Sequence, residues 1–358
     1  MLRFIISLIL QGAVISDENR NRRMTLKKIY LFLVPAAAAV FLTGLSAGRY
    51  HIPFLRVLGI LFHPLFGFEK NWLPVEEAVV LNLRLPRVAM AAVSGMGLSV
   101  CGAVYQGIFR NPLVSPGVIG VTSGAGFGAA LGILLFGWGI GAQLFAFIFG
   151  FAALLMTLSI TGKTGGNAIL VFILAGVVVN MFFQAGISFL KIIADSEDQL
   201  PSIVYWLMGS LSQTGKEHFF FTMPLIIISS LLLIAARWRI NALSLGIDAA
   251  KSLGVKTGES LVFILFFSTL AVSAVVSVGG IVGWVGLIVP HMVRMVVGSD
   301  HEKLLPASAV AGAILFMLID ISARIIAPVE IPLGVITAFI GTPVFIYLLV
   351  KSKGSWVV

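Results

Sequence analysis

Charge is what this sequence has least of. Asp, Glu, Lys and Arg make up 11% of its 358 residues, hydrophobic residues make up 59%, and the mean hydropathy is +1.06. A soluble domain carries roughly 25% charged residues, because its water-facing surface needs them. Too few are present here to clothe a surface of this size, so lipid must be the solvent for much of the chain. Cysteine is nearly absent as well: Cys101 alone excludes an intrachain disulfide framework and leaves the redox compartment illegible. Acidic residues number 15 against 24 Lys and Arg, a formal charge of +9. An excess of that sign also suits nucleic acid, but placement outweighs the sum. The cations sit at the edges of long apolar runs, and no nucleic-acid partner is expected.

What is present is a succession of such runs. Stretches long enough to span a bilayer occur near 26–48, 88–108, 116–136, 139–161, 168–190, 217–236, 258–279, 281–298, 304–324 and 334–351. Backbone groups in lipid must satisfy one another, so these runs are helices rather than open strands. A membrane barrel would show period-2 alternation, which they lack. The expected fold is an all-α integral membrane protein with about ten transmembrane helices. It occupies residues 26–353 behind a cytoplasmic tail at 1–25, and no soluble catalytic domain fits between the spans. If the chain is two five-helix units, the odd number of crossings inverts the second relative to the first. Within the tail, residues 4–15 are too few to span and lack the cleavage site of a signal peptide. Two readings stand, an amphipathic anchor and a segment upstream of an initiating Met24, and no role is assigned.

Lys and Arg orient the chain. With the N-terminus in the cytoplasm, 16 of the 24 fall inside, and Arg49, Arg56, Lys70, Arg84, Arg87, Lys191, Lys216 and Arg324 fall outside. That is the sense of the positive-inside rule. Both termini then lie in the cytoplasm. The longest cytoplasmic loop, 237–257, is amphipathic, with Leu243, Leu245, Ile247, Ala250 and Leu253 interleaved with Asp248 and Lys251.

Several motifs reduce to packing or loops. Gly120, Gly124, Gly128 and Gly132 recur every fourth residue in the third run, a stripe that lets a neighbouring helix approach closely. The same stretch holds Gly124-Ala-Gly126-Phe-Gly-Ala129, formally a dinucleotide fingerprint, but that motif needs a preceding strand. Gly162-Lys163-Thr164 has the tail of a phosphate loop, yet Thr157 stands where its earlier glycine belongs. No ATP site, no catalytic residue and no cofactor is therefore expected on this chain. The five histidines make no HExxH pattern, since Leu305 follows His301-Glu302 where the second histidine belongs, so no metal site is expected either.

Two polar groups keep two readings each. Asn180, Gln184 and Ser188 share one face of the fifth run at i, i+4 and i+8. Polar groups at that depth face protein or a wet cavity, so they either line a path or hydrogen-bond to neighbouring helices, at ~0.6 kcal/mol each. Arg84, Arg87 and Arg324 fall at the outer ends of spans, against the orientation bias. They either meet an acidic external partner or snorkel to lipid headgroups, and Asp320 with Arg324 at i, i+4 can also pair together.

Longer motifs run in order along the chain. Leu83-Arg84-Leu85-Pro86-Arg87 opens the second span, and Gln106-Gly-Ile-Phe-Arg-Asn111-Pro112-Leu113 ends it. Trp206-Leu-Met-Gly209-Ser210 and Leu243-Ser-Leu-Gly246-Ile-Asp248-Ala-Ala-Lys-Ser-Leu253-Gly254 follow. Gly283-Trp-Val-Gly286-Leu-Ile-Val-Pro290-His291-Met-Val-Arg294, Pro332-Leu-Gly334-Val-Ile-Thr337 and Gly341-Thr-Pro343-Val-Phe complete the series. Over residues 26–353 the chain resembles the permease subunits of type II ABC importers for ferric siderophores, haem and cobalamin.

The resemblance implies a homodimer in a prokaryotic cytoplasmic membrane. It also implies two cytoplasmic ATPase subunits that use ATP and Mg, and an external substrate-binding protein. Arg84, Arg87 and Arg324 match positions that receive acidic residues of the binding protein. Leu245, Gly246, Asp248, Ala249, Leu253 and Gly254 match the coupling helix that seats on the ATPase, with Gly254 suited to a helix C-cap. Asn111, Pro112 and Leu113 match the turn at the cytoplasmic end of the path. Many relatives carry an acidic residue directly after the glycine of the coupling segment, whereas this chain has Ile247 there and Asp248 next. The cargo so implied is an iron complex, a ferric siderophore first, with haem or cobalamin as alternatives. A rival reading, a secondary transporter driven by an ion gradient, needs intramembrane carboxylates. Asp320, near an end and beside Arg324, is the only candidate within a run. A channel would need a ring of filter residues, and no such segment is present in the sequence.

Overall fold

The computed structural model describes residues 26–67, 69–164 and 168–351. The tail expected at 1–25 lies outside them. The described residues form fourteen helices and no strand, as the long apolar runs require. In chain order they are α1 (Leu26–Ser46), α2 (Phe54–Phe66), α3 (Pro74–Ile108), α4 (Val121–Phe136), α5 (Ile140–Thr164), α6 (Ala168–Ile193) and α7 (Gln199–Met208). Then come α8 (Lys216–Ala235), α9 (Arg237–Ser244), α10 (Ile247–Ser252), α11 (Thr257–Gly279), α12 (Val285–Val297), α13 (His301–Ile325) and α14 (Leu333–Lys351).

Five of these, α3, α5, α6, α11 and α13, are long and apolar enough to cross a membrane, and α8 with its bent continuation α9 makes a sixth. The remaining four expected spans are shorter apolar helices, at α1, α4, α12 and α14. All ten expected crossings thus have a helix, with α2, α7 and α10 added between them and α9 continuing α8. Helix α3 is the central element: its second half is almost wholly buried, packed among α8, α11, α12 and α13.

The boundaries moved where polar or special residues interrupt a run. The second span was expected from residue 88, because Arg84, Pro86 and Arg87 precede it. The helix instead begins at Pro74, whose missing N–H costs nothing in the first turn, and Glu76 accepts the Leu73 N–H at 2.9 Å. Residues Val79–Arg84 adopt a π-helical turn in which Leu85 N bonds to Val80 O. That wider turn lies directly before Pro86, whose ring would otherwise press on the preceding turn. The third run breaks into a 3₁₀ turn, Pro116–Ile119, and α4, because Gly120 sits at φ +85°. The eighth starts late, at Val285, after Trp284 takes φ +68°.

The glycine stripe divides accordingly. Gly124 and Gly128 lie against α5, where a Cβ on Gly124 would meet the Phe149 carbonyl oxygen at 2.5 Å and one on Gly128 the Phe145 carbonyl carbon at 2.6 Å. Gly132 meets Ala142 in the same way. Gly120 is not a helical member of the stripe: it is the left-handed residue before α4 and rests on Val179 of α6.

Candidate functional site

The bundle has two ends of contrasting chemistry. At one end α1 stops and α3 begins, and all three singled-out arginines lie there. Arg84 is 6% exposed. Its Nη1 donates to the carbonyls of Leu45 and Ser46 at 2.8 Å, and its Nη2 donates to the Tyr50 carbonyl. Arg324 donates from Nη1 to the Ala47 carbonyl at 2.9 Å and from Nη2 to the Gly44 carbonyl at 3.2 Å. Two guanidinium groups therefore cap the C-terminal carbonyls of α1, where both the unpaired oxygens and the helix dipole favour a cation.

Arg87 is held by acids. Its Nε donates to Asp320 Oδ1 at 2.7 Å, and Nη1 and Nη2 grip both carboxylate oxygens of Glu330 at 3.0 and 2.7 Å. Asp320 is 1% exposed and also meets Arg324 Nη2 at 3.0 Å, the i, i+4 pair that the sequence allowed. Ser210 Oγ donates to Glu330 Oε1 at 3.0 Å, which ties in the loop after α7. Burial pushes the Glu330 carboxyl up, but the hydrogen bond and charge of Arg87 with the Ser210 hydroxyl outweigh it and hold the group below the usual carboxylate range. Asp320 sits between two cations, a poor position for the proton- or sodium-carrying acid of a gradient-driven transporter. None of the three arginines snorkels freely to headgroups, and none offers an unengaged guanidinium to a partner.

The opposite end carries the segment 237–257. After Ala235 the chain bends by 58° into α9. Ile240, Ala242 and Leu243 bury against the bundle. Gly246, at φ +113°, turns the chain into α10. At the far side Gly254, at φ +78°, closes that helix: its N–H bonds to Lys251 O at 2.9 Å and the Val255 N–H reaches back to Ala250 O at 2.9 Å. This is a Schellman cap with its usual apolar contact, since Val255 and Ala250 are both buried. The amphipathic reading thus separates into two sides: Leu243, Ala250 and Val255 face the protein, while Leu245, Asp248, Ala249, Leu253 and Gly254 face outward. Leu245 is 64% exposed and Leu253 53%. The result is a capped turn with two exposed leucines.

Residues 111–113 lie at this end too. The Asn111 side chain accepts the Leu113 N–H at 2.9 Å, an Asx turn around Pro112, and Arg110 before it takes φ +50°. Leu113 is exposed, and Phe109 stacks on Phe172 of α6 at 5.5 Å. On α6 itself Gln184 and Ser188 are exposed and Asn180 half-buried. Ser188 Oγ bonds only within its own helix, to Gln184 O at 3.0 Å. No hydrogen bond links Asn180 or Gln184 to another helix among the described residues, so this polar face is open rather than interhelical.

Sequence reasoning missed Glu330, which completes the arginine cluster. It also missed Asn241, Asp300 and His301, which tie α9 to the start of α13 through bonds of 2.8–2.9 Å. Glu330 offered no signal beyond being an acid in a short loop. Asn241 offered only one more polar side chain in a short helix that already holds Arg237, Arg239 and Ser244.

With this geometry in view, comparison with known proteins gives a consistent result. The FecCD transport family model matches residues 36–351. The chain is 41% identical over 312 residues to the molybdate import system permease protein of Haemophilus influenzae, covering 87% of this chain and 91% of that one. It is 35% identical over 310 residues to the hemin transport system permease protein of Yersinia pestis, covering 84% and 90%. A chain from the inward-facing structure of a transporter assigned to the metal-chelate ABC type superposes with a TM-score of 0.81 at 37% identity, covering 91% of this chain and 99% of that one. This all-helical, membrane-spanning chain belongs to the FecCD transport family of ABC importer permeases.

Proposed function

We propose that two copies of this chain form the path of an ATP-driven importer in a prokaryotic cytoplasmic membrane, with the arginine end outside and both termini inside. A binding protein delivers cargo at the outer end, and two ATPase subunits seat on residues 246–254 at the inner end. The observation that carries this reading is the capped coupling segment, which buries Ala250 against the protein and turns Leu245 and Leu253 outward, as a partner contact does. Docking outside engages the Arg87–Glu330 edge, where an acidic residue of the binding protein exchanges with Glu330. Arg84 and Arg324 shape that surface by fixing the end of α1. The open polar face of α6, with Asn180, Gln184 and Ser188, lines the path between the two copies, and the turn at Asn111, Pro112 and Leu113 gates its inner mouth. Alternating rocking of the copies then moves cargo inward.

The cargo is a metal-bearing complex, and the implied choice is an iron complex. The 41% identity to a molybdate permease favours a second reading, a metal oxyanion. Vesicles containing the chain with its ATPase and binding protein, supplied in parallel with radioactive iron as a siderophore complex, haem, cobalamin and molybdate, test both. ATP-dependent uptake of one probe names the cargo. Concentrative uptake by the chain alone, driven by a proton or sodium gradient, would overturn the proposal.

A further inference from the structure

The inner end holds a polar knot that the transport reading leaves unused. Asn241 stands on α9, between the spanning helix α8 and the coupling helix α10. Its side-chain oxygen accepts from the His301 backbone N–H and from His301 Nδ1, both at 2.8 Å, and its amide donates to Asp300 Oδ1 at 2.9 Å. Asp300 in turn caps α13 by accepting the Glu302 N–H at 3.0 Å. His301 is buried, and its ring lies over Gly107 of α3, where a Cβ would meet the imidazole Cε1 at 2.8 Å. One carboxamide therefore joins the coupling segment, the start of α13 and the inner end of α3. Among the described residues, no other side chain of α9 or α10 hydrogen-bonds to a spanning helix.

The two helices it reaches form a single body. Gly95 of α3 and Gly312 of α13 face each other so closely that a Cβ on either would fall on the other's carbonyl oxygen. At the outer end the same pair is locked by Arg87 and Asp320 at 2.7 Å. From His301 to Asp320 the helix rises about 28 Å at 1.5 Å per residue, most of the membrane. The apolar contacts of α9 are non-directional and let a helix slide on its neighbour. The Asn241 bonds fix register and orientation.

Resting on the proposed seating of residues 246–254 on an ATPase, we infer that Asn241 is a positioning residue that fastens the coupling segment to the α3–α13 pair, so that displacement at the inner end reaches the ion cluster at the outer end. The element that carries it is a packed helix pair with a hydrogen-bonded joint at each end, the physical connection that coupling between distant sites requires.

An exchange of the two side chains tests it. In Asn241→Asp alone the new carboxylate still accepts from His301 but faces the Asp300 carboxylate with no proton between them. Adding Asp300→Asn restores the contact between the two side chains with reversed polarity, because the new amide donates to the new carboxylate; its nitrogen then stands where Asp300 Oδ1 accepted both bonds, so only the Glu302 N–H cap is given up. The measurement is ATP hydrolysis by the complete complex in lipid nanodiscs, with and without the binding protein. The ratio of the two rates should fall about tenfold in Asn241→Asp, within the ordinary range for coupled sites, and return toward the original ratio in the double variant. An unchanged ratio in the single variant overturns the inference. So does a loss that the exchange fails to repair, or lowered thermal stability with the ratio intact. If the unmodified complex itself neither assembles nor hydrolyses ATP, the proposed function falls and the inference with it; if it responds and Asn241→Asp responds equally, only the inference falls.

Discussion

The two ends of the bundle use charge in opposite ways. At the arginine end Arg84, Arg87, Asp320, Arg324 and Glu330 are drawn inward, and each of these guanidinium groups is occupied by a carboxylate or a helix-terminal carbonyl. At the opposite end, around α10, Asp248, Lys251, Lys256 and Glu259 are exposed and pair with one another three residues apart. Buried ions of the first kind hold a structure because removing one strands its partner. Exposed pairs of the second kind contribute little to stability and leave the surface free for contact. Sequence position, at the margin of an apolar run, is the same for both groups. What separates them is whether a complementary group lies within reach once the helices have packed.

That contrast can be broken first at Arg87. Arg87→Ala leaves Asp320 and Glu330 without their shared cation and should cost about 3–5 kcal/mol, read as a lowered unfolding temperature in detergent. A change below about 1 kcal/mol would mean the cluster behaves as a surface pair. Gly124→Val forces a side chain against the Phe149 carbonyl and should cost about 1–3 kcal/mol by overpacking, with α4 displaced from α5 in a cross-linking assay. Gly254→Ala, at φ +78°, should cost about 1–2 kcal/mol locally, seen as faster amide exchange in α10 with the bundle unaffected.

Acid sharpens the arginine side of the comparison. Glu330 titrates below the usual carboxylate range in the folded chain, so its stabilisation is complete above its ordinary value and is lost as pH falls through the lower folded one. Glu330→Gln should therefore flatten the acid limb of the stability profile by lowering its neutral plateau, so that the variant lacks at neutral pH the stability that the unmodified chain loses in acid. The smallest stability effect belongs to Leu253→Asp. An exposed side chain should change stability by no more than about 0.5 kcal/mol, yet pull-down of the ATPase subunits should be lost. Retained assembly would remove the coupling role from this segment.

Ten crossings and their order were legible because lipid imposes one rule on every backbone group, and twenty apolar residues in a row can satisfy it in only one way. Gly254 was legible as a cap from local chemistry alone. The start of α3 was not, because Arg84, Pro86 and Arg87 look like a boundary until a π turn and distant carbonyls accommodate them. Gly120 could not be separated from Gly124 by spacing, since a left-handed residue and a helical one share the same letter.

Amino-acid order by itself determined the solvent, the apolar crossings and the glycine-bounded segment after α9, all of which follow from short-range hydrogen bonding and hydropathy. Only the tertiary structure decided which charges are free. Arg87 and Glu330 are 243 residues apart in the chain and 2.7 Å apart in space, and Asn241 meets His301 across 60 residues. An ion's role depends on the field and the partners around it, and those are set by packing rather than by neighbours in sequence.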